Sequence, residues 1–303
     1  MKRHSRDPTL SKEAKRGLNT LLEHGSSFAH VKLSEHLSLR LKVPDGKNGA
    51  YPTSSIQKGP VLFHDSIDLS GEGVGFGVPV VKYGHRVFFP GTARIRERRQ
   101  DTLCIWTIAY ELNVEERVVL KNGRRVHIDA FYALKERLAW LHKSIPVSRG
   151  LIEWINDAFR RAYGIHTTFD ETSSVGSVVV SYTIKGHTKT IHVSVGTSGL
   201  INHGCTEFIL LNEHDACYFD RYCDANGILT GKDIGTWEQT DTGHVALIDS
   251  HHNIQLILRN VAQAMMFRGR EFIQGRLSWA GIAYVINPSL AHFEYDITIR
   301  EHT

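Results

Sequence analysis

The chain is poor in cysteine and has no long apolar run. Only four of its 303 residues are cysteine, which is too few for the disulfide framework of a small secreted domain. No segment approaches the roughly 20 apolar residues of a membrane-spanning helix. The first residues, MKRHSRDPTLSKEAKRG, lack the apolar stretch of a secretory signal. We therefore expect a reduced, cytoplasmic protein with no membrane partner.

The chain also has little excess charge of one sign. Its 36 Lys and Arg residues and 32 Asp and Glu residues give a formal net charge of +4. A protein that neutralises a nucleic-acid backbone usually concentrates far more positive charge on one face. Only residues 1–16 and 94–99 are noticeably basic. The sequence therefore predicts no nucleic-acid partner.

Short alternations of apolar and polar residues recur along the chain and predict a mainly β fold. The clearest is HFEYDITIR near the end, where every second residue is apolar. Residues 78–82 and 86–89 flank Tyr83-Gly84-His85 and predict a hairpin. Residues 101–112 and 117–129 predict a second strand pair, and Asn122-Gly123 is a strong signal for a tight turn.

The middle of the chain has a helical pattern instead. Apolar residues recur at helical intervals in two segments separated by Pro146, and Ser148 and Gly164 are suitable start and stop signals for the second. The sequence therefore predicts a large antiparallel β-sandwich, a super-sandwich, with an inserted helical pair around residues 131–163. We expect residues 26–303 to form this single domain, after a polar, partly helical lead-in over residues 1–25.

The 18 histidines raise the question of a metal. Six candidate ligands crowd together, but their spacing does not fit zinc: His203, Cys205, His214, Asp215, Cys217 and Cys223. Asp224, Asn226 and Asp233 resemble part of a calcium loop, but an Asn-Gly turn explains the same residues without a metal and is favoured. The glycine run 71–77 leads into a strand, so it predicts a turn or bulge and not a phosphate site. We expect no metal and no cofactor, with calcium at residues 224–233 left open.

A polar group follows an apolar strand at LLNEHDACYFDRY, residues 210–222. Asn212, Glu213 and His214 stand at the end of this strand. A histidine beside carboxylates can have a pKa suited to proton transfer. The alternative interpretation is a polar turn that closes the strand.

A second candidate group lies late in the chain. Arg270 and Glu271, with Trp237 and Trp279, predict a polar and aromatic groove. Sugars suit such surfaces, because their C–H faces stack on aromatic rings while planar polar side chains bind hydroxyls. The alternative is a solvated sheet face with ordinary ion pairs.

The pattern as a whole resembles the galactose mutarotase-like super-β-sandwich group in its length, its many strands and a final strand after a proline. Residues 212–219, N-E-H-D-A-C-Y-F, are similar to the family's Asn-His-x-Tyr-Phe stretch, although both spacings are longer here. The resemblance implies that His214 is the acid of sugar ring opening. It also implies that Glu294 is the base, since the family's glutamate lies before or in the last strand.

Two function hypotheses follow. In the first, the protein binds or processes a small sugar: His214 protonates the ring oxygen and Glu294 takes the anomeric proton, as in a sugar epimerase or mutarotase. The substrate would contact Asn212, Glu213, Arg270, Glu271, Trp237 and Trp279. In the second, the protein is a non-catalytic interaction module. An apolar stripe would then be its interface, for example in a homodimer: Leu151, Trp154, Ile155 and Phe159.

Overall fold

The computed structural model describes residues 20–21, 29–42, 55–119, 123, 125–126, 162, 164, 166–201, 203–230, 237–273 and 277–301. Within these ranges the chain forms 21 strands and one 3₁₀ turn, Gly186–Thr188, with no helix of seven or more residues. The predicted mainly β fold is confirmed.

The first eleven strands follow the chain in order: β1 (Thr20–Leu21), β2 (His30–Lys32), β3 (Leu37–Leu41), β4 (Pro60–His64), β5 (Ile67–Asp68), β6 (Gly75–Tyr83), β7 (Arg86–Gln100), β8 (Leu103–Val119), β9 (Arg125–Val126), β10 (His166–Glu171) and β11 (Ser177–Lys185). The remaining ten are β12 (Thr190–Gly196), β13 (Glu207–His214), β14 (Phe219–Asp224), β15 (Gly227–Thr230), β16 (Glu238–Thr240), β17 (His244–Asp249), β18 (Ile254–Arg259), β19 (Ala264–Ile273), β20 (Leu277–Ile286) and β21 (His292–Glu301).

These strands form two antiparallel sheets. The small sheet has the order β2-β3-β4-β5. The large sheet runs β15-β14-β17-β18-β21-β12-β11-β8-β7-β6-β13-β20-β19-β16. β1 adds to β7, and β9 and β10 add to β8. The strand that carries the polar group of residues 212–214, β13, is therefore central, between β6 and β20.

The large sheet folds back on itself around one core. Buried residues from both halves of the strand order, such as Trp106 of β8 and Tyr284 of β20, belong to the same apolar cluster. The two ends of the order also meet, because Arg268 of β19 donates to Asp224 of β14 over 2.6 Å. The core thus has strands around most of its circumference.

The long strands β7 and β8 correct one prediction. β6 and β7 form the predicted hairpin around Gly84. The predicted pairing of residues 101–112 with 117–129 is wrong, because β8 is continuous from Leu103 to Val119 and pairs with β7. The sequence does not show this continuity. β7 bulges between Phe89 and Thr92, and at this point the apolar residues of both strands change from one face of the sheet to the other.

The helical pair predicted around residues 131–163 falls outside the described residues, except at Ala162. Of the lead-in, only Thr20–Leu21 is described, and it forms β1 on the edge of β7. No helix within the described ranges is long and apolar enough to cross a membrane.

Candidate functional site

β13 presents two different faces. Phe208, Leu210, Asn212 and His214 point into the core and are buried, whereas the residues between them point outward and are half-buried. Ile209 and Leu211 make the outward face apolar. The alternation of a strand therefore sends His214 inward and Glu213 outward, although the two are adjacent.

His214 is fully enclosed. Its Nδ1 atom lies 2.9 Å from the hydroxyl oxygen of Ser70, and its ring packs against Phe76 and Phe219 with centroids 4.4 and 5.3 Å away. The Ser70 oxygen also accepts the backbone N–H of Leu62 at 3.1 Å, which fixes this hydroxyl beside the imidazole. Nε2 has no hydrogen-bond partner among the described residues. Burial lowers the pKa of His214 to about 3, so the ring is neutral at neutral pH.

Glu294 lies elsewhere. It points outward from β21, is half exposed, and accepts a hydrogen bond of 2.7 Å from Nε2 of His292. This hydrogen bond is the main reason why the pKa of Glu294 is below its ordinary value. The structure does not bring His214 and Glu294 together, because one faces the core and the other faces solvent.

Two predicted substrate-binding residues have structural contacts instead. The amide oxygen of Asn212, which is fully buried, accepts hydrogen bonds from the backbone N–H of Gly77 at 3.0 Å and from the hydroxyl of Tyr295 at 2.8 Å. Arg270 is also buried and donates to the carbonyl oxygens of Phe219 at 3.1 Å and Ala216 at 2.8 Å. Arg270 thus stabilises the turn after β13 and does not face solvent.

The other predicted residues share one outward face. The rings of Trp237 and Trp279 stack with centroids 5.0 Å apart and planes 24° apart. Glu271 lies opposite Trp279 in the register of β19 and β20, and Glu213 lies opposite Gly281 in that of β13 and β20. We call Trp237, Trp279, Glu213, Gly269 and Gly281 the tryptophan face.

Two glycines make room for the stacked rings. Gly269 and Gly281 lie opposite each other on β19 and β20. A Cβ atom on Gly269 would lie 2.8 Å from the Trp279 ring, and one on Gly281 would lie 2.8 Å from the Trp237 ring. Both glycines are therefore needed for the indoles to lie against the backbone. The sequence carried a signal for this, since an isolated glycine inside a strand often marks a close approach.

Glu213 has an unusual environment at the end of this face. Burial raises the pKa of its carboxyl group to about 7, although a hydrogen bond from the Val74 backbone and the charge of Lys58 act in the opposite direction. Burial also lowers the pKa of Lys58, whose Nζ donates to the carbonyl oxygen of Gly71 at 2.7 Å. A carboxyl group with a pKa of about 7 can exist as donor or acceptor near neutral pH.

The part of the chain that the structure describes contains no group of three or more His, Cys, Asp or Glu residues that could hold a metal ion. Within the segment compared with a calcium loop, Asp224 pairs with Arg268 and accepts the backbone N–H of Asn226 at 2.8 Å. Asp233 lies outside the described residues. All four cysteines are free.

Comparison of the chain with family models, with curated proteins and with solved structures gave no match.

Proposed function

We propose that this chain is a carbohydrate-binding protein of β-sandwich architecture that holds its ligand on the tryptophan face. The observation that carries the proposal is the stacked pair of Trp237 and Trp279 beside Glu213, on the outward side of the sheet. Both indoles are partly exposed. An indole surface with a polar side chain at its margin is a suitable platform for a sugar ring.

The chemistry of the neighbouring carboxylates supports the same ligand class. Glu271 lies opposite Trp279, and Glu213 lies opposite Gly281, against which the Trp237 ring packs. A carboxylate accepts hydrogen bonds from sugar hydroxyls, and a protonated Glu213 can also donate one. This proposal concerns binding and gives no acid–base role to His214 or Glu294, because His214 is enclosed and Glu294 lies outside the tryptophan face.

The proposal is tested with neutral mono- and oligosaccharides, using intrinsic tryptophan fluorescence and calorimetry. We expect a saturable signal that Trp279→Ala weakens about fivefold or more, because aromatic stacking contributes about 1 kcal/mol beyond contact area. Ile201→Ala is the matched control, since Ile201 is an exposed apolar residue outside this face. If no neutral sugar binds, or if both variants lose affinity equally, the proposal is wrong.

One observation favours a second function, a protein-interaction module. Met265 is 50% exposed on the same side of β19 as Gly269, and Phe267 between them is partly exposed. An apolar strip of this kind is typical of an interface. In that case Met265→Glu would abolish self-association in light scattering, and sugars would have no effect on the tryptophan fluorescence.

A further inference from the structure

Three arginines form a row on the outward face of β7. Arg94, Arg96 and Arg98 are exposed and alternate with inward, half-buried residues. Since side chains on one face of a strand recur every second residue, neighbouring arginines are about 7 Å apart along the strand. The row therefore presents three positive charges over about 14 Å.

Within the part of the chain that the structure describes, the three guanidinium groups have no acidic partner. None of them has an ion pair or a hydrogen bond to the residues that the structure describes. By contrast, the adjacent Arg99 binds Glu97 and donates to the carbonyl oxygen of His30 at 2.7 Å. Like charges without partners raise the local potential and repel one another, so a ligand of negative charge would stabilise the row.

The surface beside the row bears hydroxyl groups. In the register with β8, Arg94 lies opposite Ala109 and Arg96 lies opposite Thr107. Thr107 in turn is 3.3 Å from the hydroxyl of Ser181 on β11. Arg98 lies opposite the larger Ile105, so the residues opposite the row are short only beside Arg94 and Arg96.

A cavity continues the row at the tip of the hairpin. It has a volume of about 460 Å³ and lies between the turn after β7 and the start of the small sheet. Its lining includes the cationic or protonatable side chains of Lys32, Arg99 and His187, against one acidic side chain, Asp101. Because Arg99 is paired with Glu97, the recess adds Lys32 and His187 as further basic side chains near the end of the row.

We propose that this arginine row, with the adjoining cavity, binds an acidic polysaccharide, whose carboxylate or sulfate groups recur along an extended chain. Guanidinium groups bind such anions in bidentate fashion. The described residues facing outward next to the row on β8 and β11 include no aromatic side chain, and single-stranded nucleic acids need aromatic platforms for their bases. The row is separate from the tryptophan face, so the proposal does not depend on sugar binding there.

The test uses a fluorescein-labelled heparin dodecasaccharide and fluorescence anisotropy with the full chain at about 0.15 M salt. We expect the triple variant R94Q/R96Q/R98Q to bind about tenfold more weakly, because three exposed charge pairs at about 0.5 kcal/mol each together correspond to that factor. The matched control is R221Q/R259Q/R300Q, which removes the same charge at exposed positions outside the row. All six residues are exposed, so both variants should keep the wild-type melting temperature.

Each outcome decides the proposal. It is supported if the row variant alone loses affinity and if Trp279→Ala binds heparin normally. It is overturned if the wild type does not bind heparin, or if both triple variants lose affinity equally, which would indicate net charge only. It is also overturned if a 20-base-pair DNA duplex or a 20-nucleotide single strand binds the row more tightly than heparin. Neutral dextran serves as the uncharged polymer control.

Discussion

Glu213 and His214 are neighbours on β13 that point to opposite faces of the sheet, and burial shifts their pKa values in opposite directions. The carboxyl group is raised to about 7 and the imidazole is lowered to about 3. In both cases a poorly hydrated environment disfavours the charged form. Between these two pKa values both side chains are neutral in the folded protein. Their effects on stability therefore have opposite pH dependences.

His214 makes the fold less stable in acid. Its folded pKa is below the unfolded value of 6.5, so between pH 6.5 and about 3 the unfolded chain binds a proton that the folded chain does not. The free energy of unfolding should then fall by up to about 1.4 kcal/mol per pH unit. His214→Gln should remove this dependence, as measured by urea unfolding at pH 7, 6, 5 and 4. His187→Gln, at an exposed position, is the control. Equal slopes in the wild type and His214→Gln would contradict the buried, neutral imidazole.

Glu213 has the opposite effect at higher pH. Its folded pKa is above the unfolded value of 4.5, so its contribution to stability is complete below pH 4.5 and is lost as the pH rises through 7. Glu213→Gln should therefore gain stability relative to the wild type as the pH rises from 5 to 8, by about 2 kcal/mol. The measurement is urea unfolding at pH 5 and at pH 8. Glu207→Gln, on the same face of β13, is the control. A constant difference across this range would exclude the raised pKa.

Gly281 should be required for the position of Trp237. A methyl group there would meet the indole at 2.8 Å and the carbonyl oxygen of Asn212 at 3.0 Å. Gly281→Ala should cost about 1–3 kcal/mol of stability, which is typical of overpacking, and should change the near-ultraviolet circular dichroism of the tryptophan pair. Gly243→Ala is the control, because a Cβ atom at Gly243 would have no heavy atom within 4 Å. If both variants give the wild-type spectrum, the indole does not lie against Gly281.

Arg270 should matter for stability and not for sugar affinity. Arg270→Met removes a donor from the buried carbonyl oxygens of Ala216 and Phe219. We expect a loss of about 2–4 kcal/mol, because each buried group without a partner costs about 1–3 kcal/mol. Arg221→Met, at an exposed position, should be nearly neutral in the same urea titration. Lower sugar affinity with unchanged stability would instead indicate that Arg270 contacts the ligand.

The strands could be predicted from the sequence better than the environment of their side chains. Alternation places His214 and Glu213 on opposite faces of β13, and this much is visible in the sequence. The sequence does not show which face is the core, because β6 and β20 decide it and both are distant along the chain. For this reason the sequence suggests proton transfer by His214, because carboxylates adjoin it, whereas in the fold the ring is enclosed against Phe76 and Phe219.

The tryptophan face illustrates the same limit. Trp237, Trp279 and the carboxylates were recognised from residue type alone. Their arrangement depends on the register of β19 and β20, which puts Gly269 directly opposite Gly281. Arg270 was assigned to the same surface, but its neighbours Gly269 and Glu271 face outward and it faces inward. A shift of one residue in register would exchange these roles.

During synthesis of the chain, one edge of β6 stays unpaired until β13 has been made. The strand ends at Tyr83, whereas β13, which covers its other edge, is complete only at His214, about 130 residues later. At about 5–20 residues per second, roughly 7–26 s pass before that edge is covered. An apolar strand with an open edge can pair with another nascent chain. Pro79, in the middle of β6 and opposite Leu210, lacks an N–H group and interrupts the row of donors such pairing would use. We therefore expect the same proline that the finished sheet accommodates to make such pairing of the growing chain less favourable.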